Sequence, residues 1–438
     1  MSGGIEVAGA RPGDIADIFV EERRETFLDW RDGEIVGSRT GWGGGLSARW
    51  KRGAVERLAS VSRIDEEGAR AAIRALGELG ADASLSLLPP PEPPEDREIP
   101  SSSGPSSAHI ERWIKRLTSL LSRHAPRHRM RWTFSEVTRR VIPAGTPASS
   151  WTRRLFSLEG ELTASSRQRD EARRFAFHAP DSAATADELR LELLRAGAPH
   201  DAPLPCGDGD MDVVFANGSA ALFFHEVLSH PLEEGGSPLT FLKDARVAPV
   251  DLTVRDDPTR LDLFGGYERD DEGTVPRAVK LLDAGWIAGG LSDRARARGG
   301  RSTGHARRAE ASDPPLVRGT NTVVTGGGVP ADEMARRLSN GLWIEELVGG
   351  SVELASGRFR ISFPRARRVR RGRIAEETGP GLVVGDVVTA LKNVEAGMGR
   401  EVRPCRSLGW CARAGQIVPV QGEAPDVLVR RLSIRSSP

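Results

Sequence analysis

At 438 residues the chain exceeds what one hydrophobic core usually serves, so two domains are expected. Apolar residues at 38% and charged residues at 28% describe a globular protein rather than a disordered or fibrous one. The 62 basic and 61 acidic residues nearly cancel, which excludes a net field steering the chain onto nucleic acid or an anionic membrane. Lysine occurs only at positions 51, 115, 243, 280 and 392, so the positive charge is almost all arginine, as codon bias would give. Cys206, Cys405 and Cys411 are too few for a disulfide framework and fit a reducing, cytoplasmic compartment. The N-terminus lacks an apolar signal region and no run of about 18 apolar residues occurs, so neither classical export nor a membrane span is expected.

Residues 16–58 alternate like paired strands, with Arg31-Asp32-Gly33 as a hairpin turn and Trp42-Gly-Gly-Gly45 as a tight turn or close packing point. No lysine-serine/threonine signature follows those glycines, so they do not read as a phosphate cradle. Ser62-Arg-Ile-Asp65 starts a helix through Leu79, with Ala71, Ala72, Ala75, Leu76 and Leu79 as its buried stripe on the sheet. Residues 89–107 are proline- and serine-rich and read as an exposed loop. An amphipathic helix at about 108–124 follows, then alternating strands in 127–178, with His124, His128 and His178 read as surface residues. A helix around Ala186–Ala196 ends at Gly197, and residues 198–210 are the clearest domain boundary.

The most anomalous segment comes next. Within residues 213–236, Ala220, Ala221, Leu222, Phe223, Phe224, Val227 and Leu228 make a helix apolar nearly all round, interrupted by His225 and Glu226, which with His230 form an HExxxH triplet. Asn217 or Ser219 is positioned to cap this helix. Two histidines five residues apart stand about 140° apart on a regular α-helix, whereas a π-type turn brings them onto one face, where they could share a metal ion. Pro231 predicts that the distortion ends the helix, with His230 pushed out of the α region and Gly235-Gly236 turning the chain away. The bland alternative is two satisfied histidines at a helix end, with Glu226 partnering an arginine. Cys206, 19 residues before His225, is a weaker candidate ligand in a linker-like context.

Beyond 236 the pattern is short strands and glycine turns, at 248–254, 277–282, 286–291, 321–325, 352–354, 358–363 and 367–374, with one helix at 332–340. The fold class is therefore α+β: an N-terminal sheet-plus-helices domain at 1–197, then a mostly antiparallel β domain at 205–438 carrying the HExxxH helix. Arg365, Arg367, Arg368, Arg370, Arg371 and Arg373 cluster on one hairpin, which reads as a solvated edge strand before a basic groove.

Residues 408–425, Leu-Gly-Trp-Cys-Ala-Arg-Ala-Gly-Gln-Ile-Val-Pro-Val-Gln-Gly-Glu-Ala-Pro, together with the HExxxH triplet, resemble the C-terminal signature of the TldD/PmbA family of zinc metallopeptidases. The resemblance extends more loosely through Asp270-Asp271-Glu272-Gly273, Gly290-Leu-Ser-Asp-Arg and Arg318-Gly-Thr-Asn321. It departs at Pro231 and Ala412, where the family has glycines. It implies Zn2+ on His225, His230 and Cys411, with Glu226 as catalytic base and peptides, unfolded or modified, as substrates. Cys405, six residues earlier, is the alternative thiolate. Two imidazoles and a thiolate leave a fourth position for water, as in catalytic zinc sites. Tyr267, His305 and Arg318 are candidates for stabilising an oxyanion. The resemblance also implies a homodimer or a heterodimer with a related subunit, and leaves open a catalytically silent partner or a modulator of a nucleic-acid enzyme. The neutral charge and lack of nucleic-acid-binding motifs argue against direct nucleic-acid contact.

Overall fold

The computed structural model describes residues 5–8, 11, 13–78, 84–87, 119, 127–145, 147–165, 170–180, 204–233, 237–249, 251–297 and 301–437. The predicted loop at 89–107, the helix at 186–196, all of the helix at 108–124 but residue 119, His124, Leu79, residues 198–203 of the boundary and Gly235-Gly236 lie outside the described residues.

The N-terminal alternation folds as a six-stranded antiparallel sheet, ordered Val55–Val61, Glu34–Arg52, Ile15–Arg31, His128–Pro143, Ser149–Ser165, Asp170–Pro180. The turn at Asp32-Gly33 has positive φ at both residues, 50° and 93°, the mirror-image geometry whose twist matches the flanking strands. Trp42-Gly-Gly-Gly45 makes no turn. At Gly44, with φ of 147°, a Cβ would stand 2.1 Å from the Glu21 carbonyl oxygen, so the glycine permits close approach of neighbouring strands.

Because strand side chains alternate between faces, Ala16, Ile18 and Val20 pack with Leu46, Ala48 and Trp50 beneath the helix Glu66–Glu78. Asp65 caps that helix through the Gly68 N–H, at 2.9 Å. Its buried residues are Gly68, Ala69, Ala72 and Leu76, so Ala72 and Leu76 of the predicted stripe face the sheet while Ala71 and Ala75 are only partly buried.

The opposite face of the same strands carries Asp17, Phe19, Glu21 and Arg49, and these meet the second half of the chain. Arg49 binds Asp17 at 2.5 Å and Glu272 at 2.8 Å, and Arg139 binds Glu21 at 2.8 Å and Asp271 at 2.9 Å. Asp17, Glu21, Arg49, Asp271 and Glu272 are all buried. His128 and His178 are corrections to the sequence reading, being buried rather than on the surface. His128 accepts from the Gly33 N–H at 3.0 Å, and His178 pairs with Glu159 at 3.0 Å, because strand pairing brings a turn and a neighbour over each ring.

From Gly209 onward two larger sheets dominate. An eight-stranded sheet runs Gly349–Glu353, Arg358–Phe363, Gly381–Asp386, Val427–Ser436, Gly209–Phe215, Gly341–Ile344, Ala366–Arg370, Arg373–Thr378. A six-stranded sheet includes Thr253–Asp256, Asn321–Thr325 and Gln421–Ala424. Among the described strands the pairings are antiparallel except Gly209–Phe215 with Gly341–Ile344 and Asn321–Thr325 with Gln421–Ala424. The chain is thus mostly sheet with few helices, and the HExxxH helix is buried among apolar residues of both large sheets. The arginine-rich segment is two strands joined at Arg371-Gly372, the second of them at the sheet edge, where Arg370 pairs with Glu376 at 2.7 Å. A short helix not expected from the sequence, Val387–Lys392, is capped by Asp386, which accepts from the Val388 and Thr389 N–H groups. Among the described residues no helix is long and apolar enough to cross a membrane.

Removing one member of a buried ion pair strands the others in a poor solvent. Arg49→Met should therefore cost about 3–5 kcal/mol, since Asp17 and Glu272 would be left buried and unpaired. Chemical denaturation is the check, with a lowered midpoint expected.

Candidate metal centre

The helix forms because Ala220, Ala221, Leu222, Phe223 and Phe224 are all buried, with Phe223 stacked on Phe215 at 4.7 Å between ring centroids. Neither predicted cap operates. Ser219 is already helical and donates instead to the Ile344 carbonyl at 3.0 Å, while Asn217 adopts a left-handed conformation, φ 54°. An α-helical segment, Ala220–Phe224, passes into a π-helical turn, His225–Ser229, and then into a second α-helical segment, His230–Glu233. In the wide turn the His230 N–H donates to the carbonyl of His225, five residues back. The two rings consequently lie side by side, with centroids 4.7 Å apart.

The predicted end of the helix at Pro231 is a correction. His230 is helical, at φ −57° and ψ −47°, and Pro231 continues the segment. The wide turn makes His230 the start of a new helical register, and proline suits a first helical turn because its N–H would go unused there.

Cys411 arrives from the far end of the chain on a hairpin, Trp410–Arg413 paired with Gln416–Pro419. It joins His225 and His230 so that one ligand atom from each lies within 4.8 Å of the others. The Cys411 Sγ and His230 Nε2 are 3.3 Å apart, close to the separation of about 3.5 Å that two tetrahedral ligands at zinc-like bond lengths would have. His225 Nε2 and Glu226 Oε2 are buried and have no hydrogen-bond partner. Orphaned polar atoms inside a protein are rare, and beside two further donors they fit an ion and a water. The other cysteines stand elsewhere: Cys206 is near Pro380 and Ser436, and Cys405 is beside Ser407.

Behind the donors lies a layer of polar support. His230 Nδ1 bonds Glu233 Oε2 at 3.1 Å, which leaves Nε2 directed at Cys411. Glu233 is fully enclosed and also accepts from the Gly319 N–H at 2.6 Å and from Arg413 at 2.5 Å. Burial would raise the Glu233 carboxyl, but His230, Arg318 and the Gly319 N–H hold it at about 2. Burial likewise favours neutral forms of Cys411 and His230. Against that, His230 and His225 draw the Cys411 thiol well below its usual range, while Glu233 and Cys411 hold His230 well above its own. Burial raises Glu226, opposed by both histidines. Thr322 Oγ1 stands 3.4 Å from His225 Nδ1.

Glu233 was missed from the sequence, although it lies three residues after His230 and so shares its helical face. Of the three oxyanion candidates, Tyr267 donates to the Gly304 carbonyl at 2.8 Å, and His305 is held by Asp256 at 3.1 Å and Thr303 at 2.9 Å. Arg318 donates to the Cys411 carbonyl at 2.6 Å, so it positions the ligand-bearing strand.

The family profile described as PmbA/TldA metallopeptidase C-terminal domain matches residues 208–436. The chain is 32% identical over 254 residues to a metalloprotease of Methanothermobacter thermautotrophicus, covering 56% of this chain and 53% of that one. It is 27% identical over 257 residues to a metalloprotease TldD homolog of Buchnera aphidicola, covering 57% and 52% respectively. The chain thus spans about half the length of the curated relatives it matches. In overall fold it is similar to TldE from Thermococcus kodakarensis, with a TM-score of 0.72 at 17% identity over 96% of this chain and 97% of that one.

Glu233→Gln removes the charge that orients His230 while keeping its shape. It should lower metal affinity about 10–100-fold, as lost support behind a ligand usually does. Competition against a chromophoric chelator measures this, and an unchanged affinity would show that Glu233 serves only the fold.

Proposed function

This chain belongs to the PmbA/TldD metallopeptidase family, and we propose that it is a zinc-dependent peptidase acting on unfolded or modified peptides. The observation that supports this reading best is the convergence of His225, His230 and Cys411 beside two orphaned atoms, His225 Nε2 and Glu226 Oε2. Two nitrogens and a thiolate are a zinc-type donor set with room for a fourth ligand. Zinc in such a site supplies Lewis acidity toward a carbonyl oxygen and acidifies a water.

The remaining steps fall to the chain's own residues. Glu226 takes the proton of the attacking water and returns it to the leaving amine. Its buried position, with the carboxyl raised by desolvation, moves it toward the basicity that such a shuttle requires. Glu233 keeps the His230 Nδ1 proton engaged, so that Nε2 stays free as a donor.

The seat for the substrate backbone in this reading is the strand Gly349–Glu353. That strand is at the edge of the eight-stranded sheet, mostly exposed, and a Cβ at Gly350 would lie 2.5 Å from the Glu226 side chain. An extended peptide adding to this edge would run past the carboxylate, with recognition through main-chain bonds. The proposal includes a two-domain division at 1–197 and 205–438, the N-terminal domain gating access or mediating pairing with a second copy or a related subunit. Free, buried Cys206, Cys405 and Cys411 support a cytoplasmic setting.

Glu226→Gln should retain zinc and the folded state while hydrolysis falls by about 10²–10⁴. Cleavage of a quenched-fluorescence peptide beside metal analysis is the measurement, and parent-like cleavage would sink the mechanism. In the same preparation Cys411→Ser should lose zinc and Cys405→Ser should keep it; the reverse pattern would assign the wrong thiolate.

A further inference from the structure

The hairpin that carries Cys411 has a second face. Side chains alternate along it, so Cys411 and Val418 are buried toward the core while Trp410 and Ile417 are 43% and 55% exposed on the other side. That side borders a cavity of about 680 Å³, closed opposite by the N-terminal sheet. None of His225, Glu226, His230 or Cys411 lines it.

Two arginines on its wall lack an anion. Arg307, 3% exposed, gives its two Nη groups to the carbonyls of Gly319 and Pro419, at 2.8 and 2.6 Å, and lies 5.3 Å from the centre of the Tyr267 ring. Arg153 gives one Nη to the Phe264 carbonyl, and its Nε is enclosed without a partner. Among the described residues no carboxylate forms an ion pair with either, in contrast to Arg139 and Arg23 on the same wall, which hold Asp271 and Glu21. Burial, with Arg307 and Arg139 nearby, drives the Arg153 guanidinium well below its usual range. Arg153 is half-buried, and a cation so placed with neither a counter-charge nor a full set of acceptors is under-satisfied, which an anion arriving from outside would relieve.

The cavity also restricts which anion fits. Carboxylates also line the cavity, among them Glu25, Glu159 and Asp271, so a polyphosphate or nucleic acid would be repelled. A single carboxylate matches the guanidinium fork, and Trp151, Tyr267 and Trp410 give apolar walls for the chain behind it. The cavity also communicates with the metal centre. Gly319 accepts from Arg307 on one side and donates to Glu233 on the other, and Trp410 precedes Cys411.

We propose that this cavity is a carboxylate-recognition subsite, in which Arg153, backed by the charge of Arg307, binds the free C-terminus or an acidic side chain of a peptide. That the ligand is a peptide rests on the peptidase reading; the preference for one carboxylate rests on the cavity alone.

The test is binding of dye-labelled peptides to the full-length Glu226→Gln chain, followed by fluorescence anisotropy. The peptide set holds one neutral sequence as free acid and as C-terminal amide, and the amide again with an internal Glu or Gln. The carboxylate-bearing member of at least one pair should bind about ten- to a hundredfold tighter, the range of a charge-assisted hydrogen bond. Which pair shows it identifies the source. Arg153→Met should erase the difference without lowering the melting temperature, since among the described residues no carboxylate forms an ion pair with it. Arg153→Lys should restore part of it. Equal binding within both pairs, no binding of any peptide, or a preference that survives Arg153→Met would overturn the proposal. A preference without any hydrolysis by the parent chain would leave the subsite standing and remove the peptidase reading instead.

Discussion

The site depends on one extra residue in a helical turn. At 100° per residue, imidazoles five positions apart would face away from each other, and no side-chain rotation returns them to a common point. The π-helical turn at His225–Ser229 absorbs the difference, and it does so where the helix is packed on all sides. Widened turns have weaker backbone geometry than α-helix, so they persist where surrounding contacts hold them. Here Val227, Leu228 and Ser229 are buried, which fixes the turn from outside.

Pro231 belongs to the same argument. In a regular helix a proline at that point would remove a backbone donor and clash with the preceding turn. After a π turn the register has already changed, and the chain re-enters α geometry at His230 with a residue that has no N–H to place. Glu233 follows within the same short segment and turns back to His230 at 3.1 Å. The break, the proline and the supporting carboxylate thus form one local unit, with Arg413 and Gly319 supplied from the rest of the fold.

Legibility in the sequence followed the range of the interactions. The Asp32-Gly33 hairpin and the Asp65-initiated helix were readable because turn and cap chemistry lie within a few residues. The wide turn was readable because histidines five positions apart can share one ion only if the turn between them widens. The fold class, mostly antiparallel sheet around the HExxxH helix, followed from alternation and glycine turns. Cys411 entered through family resemblance, since no spacing rule ties it to a residue 181 positions earlier. Glu233 escaped notice because two of its partners are 86 and 180 residues away, and a pair of glutamates after a proline expected to end the helix looks like surface. His128 and His178 were misread for the same reason: what buries them is a paired strand, a turn or a distant loop.

The two faces of the Trp410–Pro419 hairpin extend this logic to the rest of the molecule. A strand pair with period-2 alternation delivers a thiolate to one side and aromatic wall to the other, so the metal centre and the arginine-lined cavity share a partition about one strand thick. Arg318 fixes the Cys411 carbonyl and Arg307 fixes those of Pro419 and Gly319, so two buried cations hold the partition by its backbone. The N-terminal sheet closes the far wall through Arg139, Glu21 and Asp271. Asp271 and Glu272, part of a motif without an evident role in the sequence, thereby act as the clasp that holds the first half of the chain over the hairpin bearing the thiolate.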